Sequence, residues 1–154
     1  MVFSQYLKML DIIEDYLKQK NIGFAGIRGT TKDRKEEVKR FQEEPECKVF
    51  VASLQAAGVG IDLTKASVVI HYDRWWNPAK ENQATDRVHR IGQTRGISVF
   101  KFVAKDTIEE DIHALIEKKK DLISNVVGFD SDQDLKRFDK DELTKLLKKL
   151  YSSI

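Results

Sequence analysis

The chain has 154 residues, 41% of them hydrophobic, with 27 Lys and Arg against 25 Asp and Glu for a net charge of +2. That length suits one domain burying roughly two thirds of its unfolded surface. A net charge this small excludes binding driven by bulk charge, so any nucleic-acid surface must come from local clustering. No unbroken apolar run approaches the ~18 residues of a membrane span, and no charged-then-apolar leader opens the sequence, so a soluble protein of the cytosol or nucleus is expected. The single cysteine, Cys47, cannot form an internal disulfide and sits at the start of an apolar run, where it reads as structural. His71, His89 and His113 lie too far apart for the ligand spacing of a metal site.

In chain order, residues 1–4 read as a short strand leading straight into a helical pattern, with Leu7, Leu10, Ile13 and Leu17 recurring at steps of three and four. Residues 23–27 form a short apolar run. It ends at Arg28, Gly29, Thr30 and Thr31, a turn whose hydroxyls are placed to cap a charged helix over residues 32–43. Residues 48–52 and 67–71 are β-branched runs suited to the middle of a parallel sheet, buried on both faces. Between them lies Ala57-Gly-Val-Gly-Ile-Asp62. Its two glycines permit a close backbone approach, and its acid could accept from a sugar hydroxyl or hold an arginine, although such turns are often only tight connections.

Trp75 and Trp76 follow the second of these strands, a place where one ring can be buried and the other left at the rim beside Arg74. An exposed tryptophan there would serve as a platform or wedge for a nucleic-acid strand, whereas two buried rings would be plain core. Asn77 and Pro78 read as a helix N-cap and first turn, starting a helix that runs to about Gly92. On it Ala84, Val88 and Ile91 make an apolar stripe, while Gln83, Arg87 and Arg90 share a second face. Two arginines one turn apart suit an anion between them; a solvated basic face has the same spacing.

Ile97, Val99, Phe100 and Phe102 continue as a partly alternating strand, so the order is β-α-β-α-β-loop-β-α-β, that of an open α/β sheet with right-handed crossovers. A capping box at Thr107 and Glu110 begins a helix with Ile108, Ile112, Leu115, Ile116 and Ile123 on one face. The domain proper is expected over residues 1–123. A connector with Phe129 and Phe138 follows, then a last helix from near Asp139 with a stripe of Leu143, Leu146, Leu147 and Leu150, expected to fold back as a brace. In such a sheet, ligands bind beyond the carboxyl ends of the strands. Ser4 and Gln5, residues 28–31, 53–62 and 72–77 all fall there. The chain carries no Gly-x-x-x-x-Gly-Lys-Ser/Thr loop and no acidic pair closing an apolar strand, so its arginines suit a nucleotide site completed elsewhere.

Taken together, Phe3-Ser-Gln5, Gly29-Thr-Thr31 with Arg34, Ala57 to Leu63, Trp76-Asn-Pro78 and the long run Gln83 to Gln93 resemble, in order, motifs of the second RecA-like lobe of the Swi/Snf-type DNA translocases, which are superfamily-two helicases. The resemblance runs from Val2 to about Asp111. It implies an α/β fold, a RecA-like parallel sheet sandwiched by helices with a C-terminal helical extension. It implies that Arg87 and Arg90 are arginine fingers reaching the γ-phosphate of ATP, with Gln83 helping to place them. Gly58, Gly60 and Asp62 would line the nucleotide side, with ATP and magnesium held by an N-terminal lobe of the same parent chain. Ser4, Gln5, Gly29, Thr30, Arg74 and Trp76 would lie along double-stranded DNA, mostly on phosphates.

The sequence departs from the family pattern at Arg28, where an acid is usual, at Ala57 and at Asp62, where asparagine is usual. An arginine at position 28 could itself contact DNA. Rival classes are a nucleic-acid-binding module without motor activity, a protein-interaction domain whose tail helix docks a partner, and an RNA- or DNA-unwinding lobe. Sequencing upstream of Met1 is expected to show a phosphate loop and an acidic strand-end box within a few hundred residues. Their absence would remove the motor reading.

Overall fold

A computed structural model describes residues 1–56, 61–75, 78–90 and 92–126. Five strands, β1 (Val2–Ser4), β2 (Gly23–Ile27), β3 (Cys47–Ser53), β4 (Val68–His71) and β5 (Ser98–Lys101), alternate with helices α1 (Leu7–Gln19), α2 (Arg34–Glu43), α3 (Pro78–Thr85) and α4 (Ile108–Val126). All strands pair in parallel in the order β2-β3-β1-β4-β5. The chain divides into two compact units, one of Met1–Asp73 with Lys80–Phe102, the other of Arg74–Ala79 with the chain from Val103 onward.

The first unit holds the sheet. Successive residues of a strand point to opposite faces, and β3 shows what each face carries. Val51 packs against Leu10 and Leu17 of α1, while the Phe50 ring meets Phe41 of α2 edge-on at 5.2 Å, so α1 and α2 cover opposite faces. Phe3, on the central strand, is fully buried and stacks on His71 of β4 at 5.4 Å. On the face shared with α1, Val68, Tyr72, Phe100 and Phe102 of the β4–β5 side are 39–51% exposed.

Several helix ends differ from the sequence reading. Leu7, expected on the apolar stripe of α1, is exposed, and the helix closes at Asn21, whose φ of 51° supplies the left-handed turn. Asp33, not a threonine, caps α2, its carboxylate accepting from the Glu36 N–H at 3.0 Å. Thr31 is used otherwise, its hydroxyl oxygen accepting from the Arg28 N–H at 2.9 Å. The largest difference is α3, which ends at Thr85 instead of near Gly92. Beyond it Arg87 and Val88 donate to carbonyls three residues back, and the Arg87 carbonyl accepts from the Leu63 N–H at 3.0 Å instead of continuing a helix. In the second unit α4 runs to Val126, past the expected boundary at residue 123. Its start is a shifted capping box: Thr107 Oγ1 accepts from the Glu109 N–H, and Glu110 Oε2 accepts from the Asp106 N–H at 3.0 Å. The connector beyond α4, with Phe129, Phe138 and the leucine-striped last helix, lies outside the described residues.

One lysine closes the C-terminal end of α2. Lys65 Nζ donates to the carbonyls of Phe41 at 2.7 Å, Glu44 at 2.6 Å and Cys47 at 3.0 Å, and lies over the Phe41 ring. The Phe41 and Glu44 carbonyls belong to the helix end and the Cys47 carbonyl to the start of β3, so a full positive charge joins the two. Lys65→Met is therefore expected to destabilise the fold by about 1.5–3 kcal/mol, seen in urea unfolding as a lower midpoint with unchanged slope.

Candidate functional site

Because every strand runs the same way, the carboxyl ends of β1 to β4 open on one edge of the sheet. Ser4 and Gln5 leave β1 there under the control of Asp73. The Asp73 carboxylate accepts the Ser4 hydroxyl and, at 3.0 Å, the Gln5 N–H, while Ser4 Oγ accepts the Tyr6 N–H at 3.0 Å. Ser4 and Asp73 are both buried. Ser4 thus faces inward with its hydroxyl occupied, which corrects its assignment to a DNA-contacting surface; half-buried Gln5 remains at the edge.

Gly29 and Thr30 follow β2 and are exposed. A Cβ on Gly29 would meet nothing within 4 Å, so the fold itself does not require glycine there. Arg28 beside them is engaged by α1, with Nη1 2.5 Å from Asp11 Oδ1 and Nη2 2.7 Å from Glu14 Oε1. Burial pulls its pKa down, but the hydrogen bonds and charges of Glu14 and Asp11 outweigh this and raise it above the ordinary value. The Arg28 charge is matched within the chain by one exposed and one partly buried carboxylate.

After α3 the chain turns through residues 86–90 against residues 61–66. Gln83 is exposed. Arg87 is half-buried, and its Nε is enclosed without a hydrogen-bond partner among the described residues. Arg90 is more open, and its guanidinium pairs with the Asp62 carboxylate. The arginines therefore share a segment but not an environment. Gln93 pins the segment from behind, its Nε2 donating to the carbonyls of Thr64 at 3.0 Å and Ala66 at 2.7 Å while its Oε1 accepts from the Arg95 N–H. Gly92 makes the turn possible, with φ at +102°, where a side chain would be strained. Gly58, Gly60 and Trp76 lie outside the described residues.

Arg74 belongs to the second unit. It is buried, and its Nη1 lies 2.8 Å from Nδ1 of His113 on α4. A guanidinium can only donate, so Nδ1 is the acceptor in this contact. Burial corrects the reading of Arg74 as a surface DNA contact. Trp75, its neighbour, is half-buried. No group of three or more His, Cys, Asp or Glu converges as a metal site among the described residues, and no described helix is long and apolar enough to cross a membrane.

Residues 1–92, the greater part of the chain, match the family described as helicase conserved C-terminal domain. The chain belongs to that family. It is 42% identical over 147 residues to an uncharacterized ATP-dependent helicase of Mycoplasma genitalium, covering 94% of this chain and 14% of the relative. It is 40% identical over 130 residues to the chromatin-remodeling ATPase INO80 of Aspergillus oryzae, covering 83% of this chain and 9% of that protein. Among solved structures, the C-terminal part of the Fun30 ATPase domain superposes with a TM-score of 0.72 at 38% identity, covering 74% of this chain and 37% of the other. The fold is RecA-like, and its likeness is to the second lobe of Swi/Snf-type ATPases. The helicase lobe thus spans a small part of the length of these curated relatives.

Behind the arginine segment the lobe holds a polar network that the sequence reading missed. His71 Nε2 lies 3.0 Å from Thr85 Oγ1, the Thr85 hydroxyl donates to the Glu81 carbonyl at 3.1 Å, and the fully buried Glu81 carboxylate meets Lys101 Nζ at 3.0 Å. Two residues of α3 are tied in this way to the ends of β4 and β5, which fixes the helix that precedes Arg87 and Arg90. A long-range pair between residues 81 and 101 leaves no periodic signal; only the acid on the inner face of α3 pointed to it. Lys101→Met would remove one charged hydrogen bond from the buried Glu81 carboxylate and is expected to cost about 1.5–3 kcal/mol in denaturant unfolding.

Proposed function

We propose that the chain works as the second motor lobe of an ATP-dependent double-stranded DNA translocase, with an N-terminal RecA-like lobe of the same parent chain as its partner. The observation that carries this reading is the Arg87 and Arg90 pair. One has an enclosed Nε with no protein partner among the described residues, the other is paired with an exposed carboxylate, and both lie on a segment pinned by Gln93 and α3. Such donors fit a polyphosphate presented from outside the lobe. Bound ATP, with magnesium held by the first lobe, supplies the phosphoanhydride bond whose hydrolysis lets the two lobes close and reopen.

In this reading Arg87 and Arg90 neutralise charge on the terminal phosphate, Gln83 helps to orient them, and Gly58, Gly60 and Asp62 line the nucleotide side. Gln5, Gly29, Thr30 and Trp76 track duplex phosphates, and the bare backbone at Gly29 offers its N–H to an anion that a side chain would hold off. Ser4 and Arg74 shape the loops instead of touching DNA. Work on DNA agrees with the chromatin-remodeling role named for INO80. A cytoplasmic, DNA-associated site of action follows in a microbial host, a nuclear one in a eukaryote.

The test is ATP turnover by the parent chain with and without duplex DNA. Wild type is expected to be strongly stimulated by DNA, and Arg90→Ala to lose on the order of a thousandfold in turnover while retaining DNA affinity. The lobe alone is expected to show no turnover. Turnover in the parent chain that ignores both DNA and the substitution would leave a binding module in place of a motor.

A further inference from the structure

We infer that Asp62 holds Arg90 in reserve, so that the terminal phosphate of a bound nucleoside triphosphate must exchange for the Asp62 carboxylate before Arg90 can engage it. This rests on the motor reading and assigns Asp62 a role that neither fold nor family match gives it: a positioning residue acting through Arg90, not a nucleotide ligand in its own right.

The pair is built, not accidental. Asp62 is fixed from two sides, since its carbonyl accepts from Gln42 Nε2 of α2 at 3.1 Å and the next residue, Leu63, donates its N–H to the Arg87 carbonyl at 3.0 Å. Gln42 also bonds Thr64 Oγ1 and the Lys65 N–H, while Gln93 takes the carbonyls of Thr64 and Ala66. Two segments far apart in sequence are thereby clamped with the carboxylate and guanidinium facing each other.

The strength of the pair decides what it can do. Both side chains stay in water, at 59% exposure for Asp62 and 42% for Arg90. An exposed ion pair is worth little, so it can orient Arg90 but cannot compete with a multiply charged phosphate. A buried pair would be a lock; this one is a rest position. The Arg87 Nε, enclosed and unpartnered among the described residues, needs no such exchange. The carboxylate should therefore weaken binding of a triphosphate by what it costs to release Arg90, and leave a diphosphate, which has no terminal phosphate for Arg90, unaffected.

The experiment measures, in the full parent chain, equilibrium affinity for a non-hydrolysable ATP analogue and for ADP in wild type, Asp62→Asn, Arg90→Ala and the double variant. Asp62→Asn is expected to tighten the analogue about two- to fivefold, the range set by an exposed pair, with ADP unchanged. In the Arg90→Ala background the asparagine should have no effect, and the wild-type difference should shrink at high salt. Weaker binding of both nucleotides by Asp62→Asn would make Asp62 a direct ligand, and tightening that persists without Arg90 would mean plain charge repulsion; either overturns the inference. No change from Asp62→Asn while Arg90→Ala weakens the analogue overturns the inference alone. If Arg90→Ala leaves analogue affinity untouched, Arg90 does not meet the bound triphosphate before the reaction and the inference fails, while the motor reading is decided by the turnover test alone.

Discussion

Parallel pairing of the short central strand β1 with both β3 and β4 is the constraint on which the rest of the structure depends. Parallel neighbours cannot be joined by tight turns, so each connection must leave the sheet and return, which forces helices or long segments between strands. It also sends the carboxyl ends of the strands to one edge. Gln5, Gly29 and Thr30 sit there because of this topology, and the Ser4–Asp73 hydrogen bond then joins the segments that follow β1 and β4 across their seam. A chain with antiparallel pairs would have divided these residues between two edges.

Within that frame the charges follow a consistent economy. Arg28 is answered by Asp11 and Glu14, Lys101 by Glu81, and Lys65 by three backbone carbonyls between the end of α2 and the start of β3. Lys101 meets a fully buried carboxylate, and Arg28 meets one partly buried and one exposed. Arg90 is answered only at the surface, and the Arg87 Nε is enclosed without a partner among the described residues. With an overall charge near zero, it is this difference in how cations are satisfied, not their number, that marks a site.

The strands were legible because buried parallel strands need unbroken β-branched runs, and Val49, Val51, Val69 and Ile70 advertise them. The strand-end loops were legible for the same reason, since their places follow from the strands. What escaped was decided by competition between distant groups. Periodicity carried α3 on to Gly92 because Ala84, Val88 and Ile91 keep helical spacing, but it is blind to Leu63 taking the Arg87 carbonyl. Thr30 and Thr31 looked like caps until Asp33, nearer the helix, took the N–H. Arg74 beside two tryptophans looked like a surface contact, and nothing local announces that His113 receives it. Gln93 read only as the close of a motif, although its amide spans residues 64–95.

The short α3 carries a warning for protein engineering. A common route to thermostability is to raise helix propensity along a segment whose spacing already looks helical, and residues 86–92 invite that treatment. Success would rotate the two arginines onto a single continuous cylinder, release the Arg87 carbonyl from Leu63, and oppose the left-handed backbone at Gly92. The gain in stability would be drawn from the irregularity that gives each guanidinium its own surroundings. In this lobe the turns after Thr85 are held by contacts from distant residues, and regularising them would break those contacts.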